Sequence, residues 1–307
     1  MATMQAARLH EWGGPQAVVV EDAPVPEPKE NEVRVRVRAA SINPVDWKAS
    51  KGYMQQFLPL PFTLGWDLAG DIDAVGSAVT DFKVGDAVYA ATDGYSFAQY
   101  AAVPAAYVAP KPKSLSYLHA AAVPVAAQTA WQALFDHANL QPGQKVLIHG
   151  AAGGVGSFAV QFAKWKGAHV MGTASAANKD YVLGLGADEF IDYTTTRFED
   201  VVKDADVVLD TVGGETLDRS FEAVKSGGVI VTVAGRPSED KAKAKGVRAT
   251  GMRRETNRQE FDQITRLIDE GRIKVPVTEI IPLDRIQEAI AKSESGHVRG
   301  KIVVEIP

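Results

Sequence analysis

A glycine-rich turn between two apolar segments is the part of the sequence best suited to binding a phosphate group. Residues 145–149 have the Val, Leu and Ile content of a buried strand, and the residues after Val155 have the apolar spacing of an amphipathic helix. Such a turn gathers backbone N–H groups at the positive end of the helix dipole, where phosphate binds without a charged side chain. The predicted contacts are Ala152, Gly153, Gly154, Val155 and Gly156.

The spacing of the glycines in this turn is that of a dinucleotide site. Gly153 and Gly156 match the last two glycines of the G-x-G-x-x-G pattern, which let the backbone approach a pyrophosphate and the helix approach the strand. Ala151 replaces the first glycine of that pattern. The match is therefore partial, and a purely structural strand-to-helix turn is the alternative.

The end of the next predicted strand indicates which dinucleotide binds. NAD sites usually carry an acid there that accepts from the ribose hydroxyls, and this charge would repel the 2′-phosphate of NADPH. Residues 171–179 contain no Asp or Glu, whereas Thr173 and Ser175 can donate to phosphate oxygens and Lys179 adds positive charge. Tyr193, after the third predicted strand, offers a phenolic donor. We therefore expect NADPH; the alternative is that Ser175 caps a helix and Lys179 is solvated.

Composition excludes several classes of function. The 307 residues carry a net charge of −5, which gives no electrostatic reason to expect nucleic acid or an anionic membrane as a partner. The chain has no cysteine, so it forms neither disulfides nor thiolate zinc sites. No apolar run approaches the roughly 20 residues of a membrane span, and the first residues do not resemble a secretory signal. We expect a cytoplasmic protein with no membrane partner.

Two kinds of sequence pattern predict two domains in an α/β chain. Up to about residue 122, short strands separated by Gly and Pro are typical of a small β-barrel or sandwich. In 32–38, valines alternate with arginines, which predicts a half-buried strand with a solvated basic face; a nucleic-acid stripe is the alternative. Between 123 and 272, strands alternate with helices, which predicts a doubly wound parallel sheet.

The individual elements follow from the same patterns. Strands are predicted at 4–11, 17–21, 68–75, 87–91, 145–149, 169–173, 189–192, 206–211, 229–234 and 301–306. Helices are predicted at 47–56, at 118–135 with a break near Pro124, at 256–270 and at 284–293. The last strand suggests that residues 273–307 return to the first domain.

Taken together, these features make the chain similar to the medium-chain dehydrogenase/reductase superfamily, and within it to the zinc-independent, NADPH-dependent quinone oxidoreductase branch. The resemblance covers nearly the whole chain. It is carried by Ser41-Ile-Asn-Pro-Val-Asp46, Leu64-Gly-Trp-Asp-Leu-Ala-Gly70, Phe82-Lys-Val-Gly-Asp86, Gln128-Thr-Ala-Trp-Gln-Ala133, Gly150-Ala-Ala-Gly-Gly-Val-Gly156 and His297-Val-Arg-Gly-Lys-Ile302. It implies a GroES-like β-barrel domain at 1–122 and 273–307 and a Rossmann NADPH-binding domain at 123–272.

The resemblance also implies that the protein binds no metal. Zinc-dependent relatives hold the ion with Cys, His and Cys, and the corresponding positions here carry Asn43, Trp66 and a cysteine-free stretch around Val125. The histidines show no metal-ligand spacing. Without a Lewis acid, alcohol oxidation loses its means of stabilising an alkoxide, whereas a quinone or an activated alkene spreads the incoming charge by its own conjugation.

By the same resemblance, several residues face the nicotinamide end of the cofactor in an interdomain cleft. They are Asn43, Asp46, Thr129, Val212 with the two glycines after it, Ala234, Gly235, Arg299 and Lys301. The Asn43 amide can donate to a substrate carbonyl oxygen or a ribose hydroxyl; an Asn-Pro turn residue is the alternative. For Arg299, the alternative is a structural salt bridge.

Tyr53 is the side chain near this motif that is best suited to donating a hydrogen bond to an enolate oxygen. The alternatives are that it only forms a wall of the pocket and that water supplies the proton. The implied substrates are quinones or α,β-unsaturated carbonyls, reduced by hydride from NADPH. A non-catalytic NADPH-binding protein with a redox-sensing or structural role is the alternative from another class, and an acyl-reducing module of a larger synthase is the alternative enzyme.

Oligomeric state is inferred from the family alone. Relatives commonly form dimers by continuing the sheet across their Rossmann domains, so residues 247–251 are expected to be the edge strand of a possible homodimer. The alternative is that this strand is covered within the monomer.

Overall fold

The computed structural model describes residues 2–307 and divides into two compact units. The first unit comprises the chain up to Val125 together with Thr256–Gly271 and Val275–Pro307. The second unit comprises Ala126–Glu255 and Arg272–Lys274.

The strands and helices are numbered in chain order. The strands are β1 Thr3–Leu9, β2 Val18–Pro24, β3 Glu32–Ser41, β4 Phe62–Thr63, β5 Asp67–Val75, β6 Ala87–Ala91, β7 Tyr100–Pro104, β8 Val108–Pro110, β9 Lys145–His149, β10 His169–Ala174, β11 Glu189–Asp192, β12 Ala205–Asp210, β13 Val224–Thr232, β14 Arg248–Gly251, β15 Val277–Pro282 and β16 Lys301–Glu305. The α-helices are α1 Pro44–Ser50, α2 Tyr117–Ala120, α3 Pro124–Trp131, α4 Gly154–Trp165, α5 Lys179–Gly184, α6 Phe198–Val201, α7 Gly214–Ala223, α8 Glu239–Lys245, α9 Arg258–Asp269 and α10 Ile286–Glu294. A π-helical segment, Gln132–His137, continues α3.

The first unit is built from two sheets around a large apolar core, with a smaller apolar cluster that includes Met4 and Ala98. A three-stranded sheet has the order β2-β1-β4, and a larger sheet has the order β15-β16-β3-β5-β6-β8, with β7 also paired to β3. Strand β16 pairs antiparallel with β3 and parallel with β15. This pairing confirms that the C-terminal segment returns to the first unit.

Strand β3 has the predicted half-buried character. Val33, Val35 and Val37 are buried, because successive side chains of a strand point to opposite faces. The Nε atoms of Arg34 and Arg38 each lie 2.9 Å from an aspartate on the neighbouring strand β5. Two of the three arginines are therefore paired with acids of the same sheet, and the third, Arg36, is exposed, as expected for a solvated strand face.

Proline affects the bounds of two predicted helical segments, the first of which differs from the prediction. Helix α1 begins at Pro44 and ends at Ser50, because proline suits the first helical position and Gly52, at φ +84°, stops the helix earlier than the predicted 47–56. In the second helical segment, predicted at 118–135, the expected break near Pro124 is confirmed: α2 ends at Ala120 and α3 begins at Pro124.

The boundary between the units also differs from the predicted division. The prediction placed 256–272 with the dinucleotide-binding domain, whereas most of these residues, including α9, belong to the first unit. The ring of Phe261 on α9 lies 4.9 Å from that of Tyr89 on β6. At the other end of α9, Asp269 accepts from the Ser114 backbone N–H at 2.9 Å.

The second unit is a parallel sheet with helices between its strands. Its order is β11-β10-β9-β12-β13-β14, and every neighbouring pair is parallel. This is the 3-2-1-4-5-6 order of a Rossmann sheet, in which β9 and β12 flank the point where the strand order reverses. The carboxyl ends of the strands therefore meet at the edge where such sheets bind ligands.

Among the helices of residues 2–307, none combines the length and the apolar character that crossing a bilayer requires.

Candidate functional site

The glycine turn of the second unit joins β9 to α4 with very little space between backbone segments. Gly150 has φ +66°, and a Cβ added to Gly156 would lie 2.1 Å from the Gly150 carbonyl oxygen. Helix α4 begins at Gly154 and its N-cap, Gly153, makes no side-chain capping bond. The turn thus leaves the helix N-terminus open to a ligand, and the missing side chain at Gly156 permits the close helix–strand packing of a dinucleotide-binding turn. The structure fits a dinucleotide here.

The predicted turn contacts differ in how far they are exposed. Ala152 and Gly156 are buried, whereas Gly153, Gly154 and Val155 are half-buried. The three half-buried residues form the start of α4, where the helix N–H groups point outward.

The residues predicted to bind the 2′-phosphate follow the end of β10. Ser175 is half-buried and accepts a hydrogen bond of 3.1 Å from the Asn178 side chain, while Lys179 is exposed at the start of α5. Thr173 points inward instead: it is 3% exposed, and its hydroxyl lies 3.1 Å from His149 Nδ1. Tyr193 is 52% exposed directly after β11. Ser175, Lys179 and Tyr193 are therefore the accessible members of the predicted set.

Asp192 is a residue near this position that the sequence reasoning missed. It ends β11 and pairs in register with Ala174, the residue before Ser175. Its carboxylate accepts from the Thr194 N–H and hydroxyl at 3.0 and 2.7 Å, and these bonds lower its pKa. The usual pattern places such an acid at the end of the second strand, whereas Asp192 comes from the adjacent third strand. The parallel pairing of the second and third strands brings their ends together, and this neighbourhood is the signal that points to Asp192.

The loops after β12 and β13 carry the other cofactor contacts predicted in this unit. Val212 is 54% exposed after β12, Ala234 is half-buried after β13, and Gly235 is exposed. Thr129, on α3, is 8% exposed. The carboxyl ends of these adjacent strands place Val212 and Ala234 on the same edge of the sheet as the glycine turn.

In the first unit, the Asn43 side chain is held in a buried network around Lys301. Lys301 donates to the Ile42 carbonyl at 2.8 Å and to Asn43 Oδ1 at 2.7 Å, and its Nζ lies 3.4 Å from Asp67 Oδ2. The Asn43 amide nitrogen donates to the same Asp67 oxygen at 2.7 Å, and the Ser41 hydroxyl does so at 2.6 Å. Burial lowers the pKa of Lys301, and the nearby Asp67 opposes this shift.

This network has consequences for two predicted contacts. Lys301 is 3% exposed and its ammonium hydrogens face three protein oxygens, so the arrangement leaves none for a cofactor. Asn43 is 4% exposed and uses both ends of its amide within the network. Both roles therefore stay predictions, and each would require an exchange of hydrogen bonds.

Asp46 is a fully buried carboxyl on the first turn of α1. Its Oδ2 accepts from the Asn43 backbone N–H at 2.7 Å, whereas Oδ1 is buried with no hydrogen-bond partner of good geometry among residues 2–307. Burial raises the pKa of Asp46 to about 8, although the Asn43 N–H and Lys301 act in the opposite direction. Burial therefore favours the protonated form of this carboxyl.

The remaining predicted residues of the first unit are on its surface. Tyr53 is 67% exposed after α1, and its ring lies edge-on to Trp47 with 6.0 Å between centroids. Arg299 is exposed just before β16. Trp66, which by the resemblance stands at the position of a zinc ligand, is buried in the apolar core. Residues 2–307 contain no group of three or more His, Asp or Glu side chains arranged to hold a metal ion.

Comparison with known proteins gives two matching family models. The alcohol dehydrogenase GroES-like domain matches residues 29–113. The model described as a zinc-binding dehydrogenase matches residues 185–304. The first match lies in the first structural unit, and the second begins within the parallel sheet and extends to β16.

Several relatives match over nearly the whole chain. An NADPH-dependent alkenal/one oxidoreductase of Arabidopsis thaliana is 35% identical, with 98% of this chain and 79% of the relative covered. The structure of a quinone oxidoreductase from Coxiella burnetii superposes with a TM-score of 0.94 at 33% identity and covers 100% of both chains. That of the Escherichia coli quinone oxidoreductase complexed with NADPH has a TM-score of 0.91 at 28% identity and covers 98% of this chain and 99% of that one.

Proposed function

Since the chain belongs to the quinone oxidoreductase branch of the medium-chain dehydrogenase/reductase superfamily, we propose that it is an NADPH-dependent reductase of quinones or of the C=C bond of α,β-unsaturated carbonyls, working without zinc. The observation that carries the proposal is the turn at 150–156, where any side chain on Gly156 would collide with the Gly150 carbonyl. This turn lies at the reversal point of the sheet, where dinucleotides bind.

The protein's part in this activity begins with holding the cofactor. NADPH, when bound, supplies the hydride, a chemistry that no side chain provides. The N–H groups at the start of α4 bind the pyrophosphate, and Ser175, Lys179 and Tyr193 bind the 2′-phosphate. Val212, with Ala234 and Gly235, lies along the nicotinamide half. We also propose that the cofactor contacts Asp46, Thr129, Arg299 and Lys301.

The residues proposed to act on the substrate come from the segment around α1. Tyr53 is exposed, so its phenol can donate to the oxygen on which negative charge develops. Asn43 can donate to the same oxygen once its amide leaves Asp67. The proton that completes the reduction comes from Tyr53 or from water.

The substrate class rests on the donor set at the positions of the lost metal ligands. Asn43 and Trp66 offer no ligand pair for zinc, and the chain has no cysteine. Hydride acceptors that delocalise the incoming charge themselves therefore suit this protein better than simple carbonyls do. For the same reason, it is poorly suited to oxidising alcohols.

Oxidation of NADPH against a panel of para-quinones and α,β-unsaturated carbonyls, with NADH alongside, tests the proposal. We expect turnover with at least one of the two acceptor classes and a preference for NADPH. Saturable NADPH binding with no turnover of any acceptor would instead support the non-catalytic alternative. Equal activity with NADH would contradict the 2′-phosphate contacts.

We further propose that the protein is cytoplasmic and forms a homodimer through β14. This strand pairs with β13 on one side and ends the order of its sheet. An exposed edge strand is a natural site for pairing with a second copy. Analytical ultracentrifugation should give a particle of two chains, and a particle of one chain would contradict the dimer.

A further inference from the structure

Asp210 is a fully buried carboxylate at the carboxyl end of β12, where the loop to α7 begins. Its Oδ1 accepts from the backbone N–H groups of Val212 and Gly213, both at 3.0 Å. Its Oδ2 accepts from the Thr232 hydroxyl at 2.6 Å. One carboxylate therefore shapes the loop after its own strand and ties that loop to the end of the neighbouring strand β13.

The loop that Asp210 shapes fits closely between its neighbours. Gly213 has φ +81°, and a Cβ there would lie 2.5 Å from the Ala234 carbonyl oxygen. On the other side, the Thr211 hydroxyl would lie 2.4 Å from a Cβ on Gly150, the first residue of the glycine turn. A loop with so little space on both sides has few alternative conformations, so its shape depends on the bonds that Asp210 makes.

Thr232 extends the influence of Asp210 to the next loop. Its hydroxyl donates to Asp210 and accepts from the Ala234 N–H at 3.1 Å. A hydroxyl has one hydrogen to donate, so its bond to Asp210 fixes the direction of that hydrogen and leaves a lone pair for Ala234. Asp210 thereby controls both loops that carry Val212 and Ala234.

We propose that Asp210 is the positioning residue for the nicotinamide half of the dinucleotide, an inference that rests on the proposed function. It acts directly on the loop after β12 and through Thr232 on the loop after β13. The adenosine half depends on other elements: the start of α4 and the segment around Ser175. A charge-assisted bond to each of two N–H groups holds the loop before any ligand arrives, so the cost of ordering it is not taken from the binding free energy.

The test compares the whole dinucleotide with its adenosine half. In Asp210→Asn, an NH2 group replaces one oxygen and cannot accept from the Thr232 hydroxyl or the Gly213 N–H, so the link between the two loops is lost. We expect the Kd of NADPH, measured by titration calorimetry, to rise about tenfold or more. The Kd of adenosine 2′,5′-bisphosphate, which does not reach the loop, should stay within about twofold.

A second variant covers the case in which Asp210→Asn does not fold. Thr232→Val removes the hydroxyl with little change of shape, and we expect it to weaken NADPH binding in the same selective way. Thr63→Val, which changes another buried strand threonine in the first unit, is the matched control and should leave both ligands unaffected. Thermal unfolding shows which variants are folded.

The changes in affinity for the two ligands distinguish a positioning role of Asp210 from a general structural role. Selective loss of NADPH affinity supports the positioning role. Equal weakening of NADPH and the bisphosphate would show a general structural role and overturn the inference, as would unchanged affinity for both. If the wild-type protein binds neither ligand, the proposed function fails rather than the role of Asp210.

Discussion

At the scale of single residues, the structure gives Asn43 and Lys301 a common use that the sequence pattern did not reveal. The motif around Asn43 predicted a donor for substrate, and the C-terminal motif predicted a basic contact for the cofactor. In the structure, the two side chains bond to each other at 2.7 Å across 258 positions of the chain. A pairing of such long range depends on the sheet in which β3 and β16 are neighbours, and no local spacing encodes it.

Substitution of Lys179 tests the proposed preference for NADPH over NADH. We expect Lys179→Ala to raise the KM for NADPH roughly three- to tenfold, because an exposed ammonium contributes only modestly to binding a phosphate. The KM for NADH should be almost unchanged, since NADH has no 2′-phosphate. Lys203→Ala, at another exposed lysine of the same unit, is the control. Steady-state kinetics with both cofactors provide the measurement, and equal effects on the two would remove Lys179 from the phosphate site.

Asp46 makes stability depend on pH in a direction unusual for a carboxylate. Its pKa is raised from 3.8 to about 8 by burial, so the folded state holds a proton that the unfolded state releases in this range. The free energy of unfolding therefore falls as pH rises through this window, by up to about 1.4 kcal/mol per pH unit from this group. Asp46→Asn should remove this contribution between about pH 5 and pH 8.

Urea unfolding at several pH values measures the contribution of Asp46. The matched control is Asp240→Asn, since the Asp240 side chain is exposed on α8. We expect the control to follow the wild-type curve. Parallel curves for Asp46→Asn and the wild type would show that the Asp46 carboxyl does not hold its proton in the fold.

At the scale of elements, apolar runs were enough to place most of the parallel sheet. The predictions of β9 at 145–149 and β11 at 189–192 are confirmed. The apolar run explains β9, which is buried after its first residue, whereas β11 is a short, partly exposed strand with an acid at each end. Strand β13 begins at Val224 rather than 229, since its first part contains polar and glycine residues that do not look like a strand. The placement of α9 could not be read locally, because it follows from contacts with β6 and the segment before α2.

The glycine turn gives a prediction about the junction of β9 and α4. In Gly156→Ala the added methyl would lie 2.1 Å from the Gly150 carbonyl oxygen, so the backbone of the turn must move. We expect a lower melting temperature and a loss of NADPH affinity of about tenfold or more. Calorimetric titration and thermal unfolding measure the two effects.

Helix α5 supplies the matched control for this substitution. A Cβ on Gly184 would meet nothing within 4 Å, and its backbone does not have a positive φ. Gly184→Ala should therefore leave NADPH affinity unchanged and stabilise the protein slightly, by about 0.4–1 kcal/mol. If Gly156→Ala behaves in the same way as Gly184→Ala, the close approach at the turn is not needed for binding.

At the scale of the whole molecule, the fold and the chemistry rest on different evidence. The two classes of domain were predictable from the pattern of strands and helices and from motifs that occur in the same order as in the family. The family matches at 29–113 and 185–304 agree with these two classes. In the proposed function, the reaction depends on a few side chains near α1 and on Asn43 and Trp66 at the positions that correspond to metal ligands. Those residues indicate conjugate reduction, a claim about which carbon of the substrate receives the hydride.

Transfer of deuterium from NADPH labelled at its hydride position to an α,β-unsaturated ketone tests this claim most directly. Mass spectrometry and NMR of the product locate the label. We predict a saturated ketone with deuterium at the β-carbon and none at the carbonyl carbon. An alcohol labelled at the carbonyl carbon would contradict the account, because it would show carbonyl reduction at a site with no metal ligands.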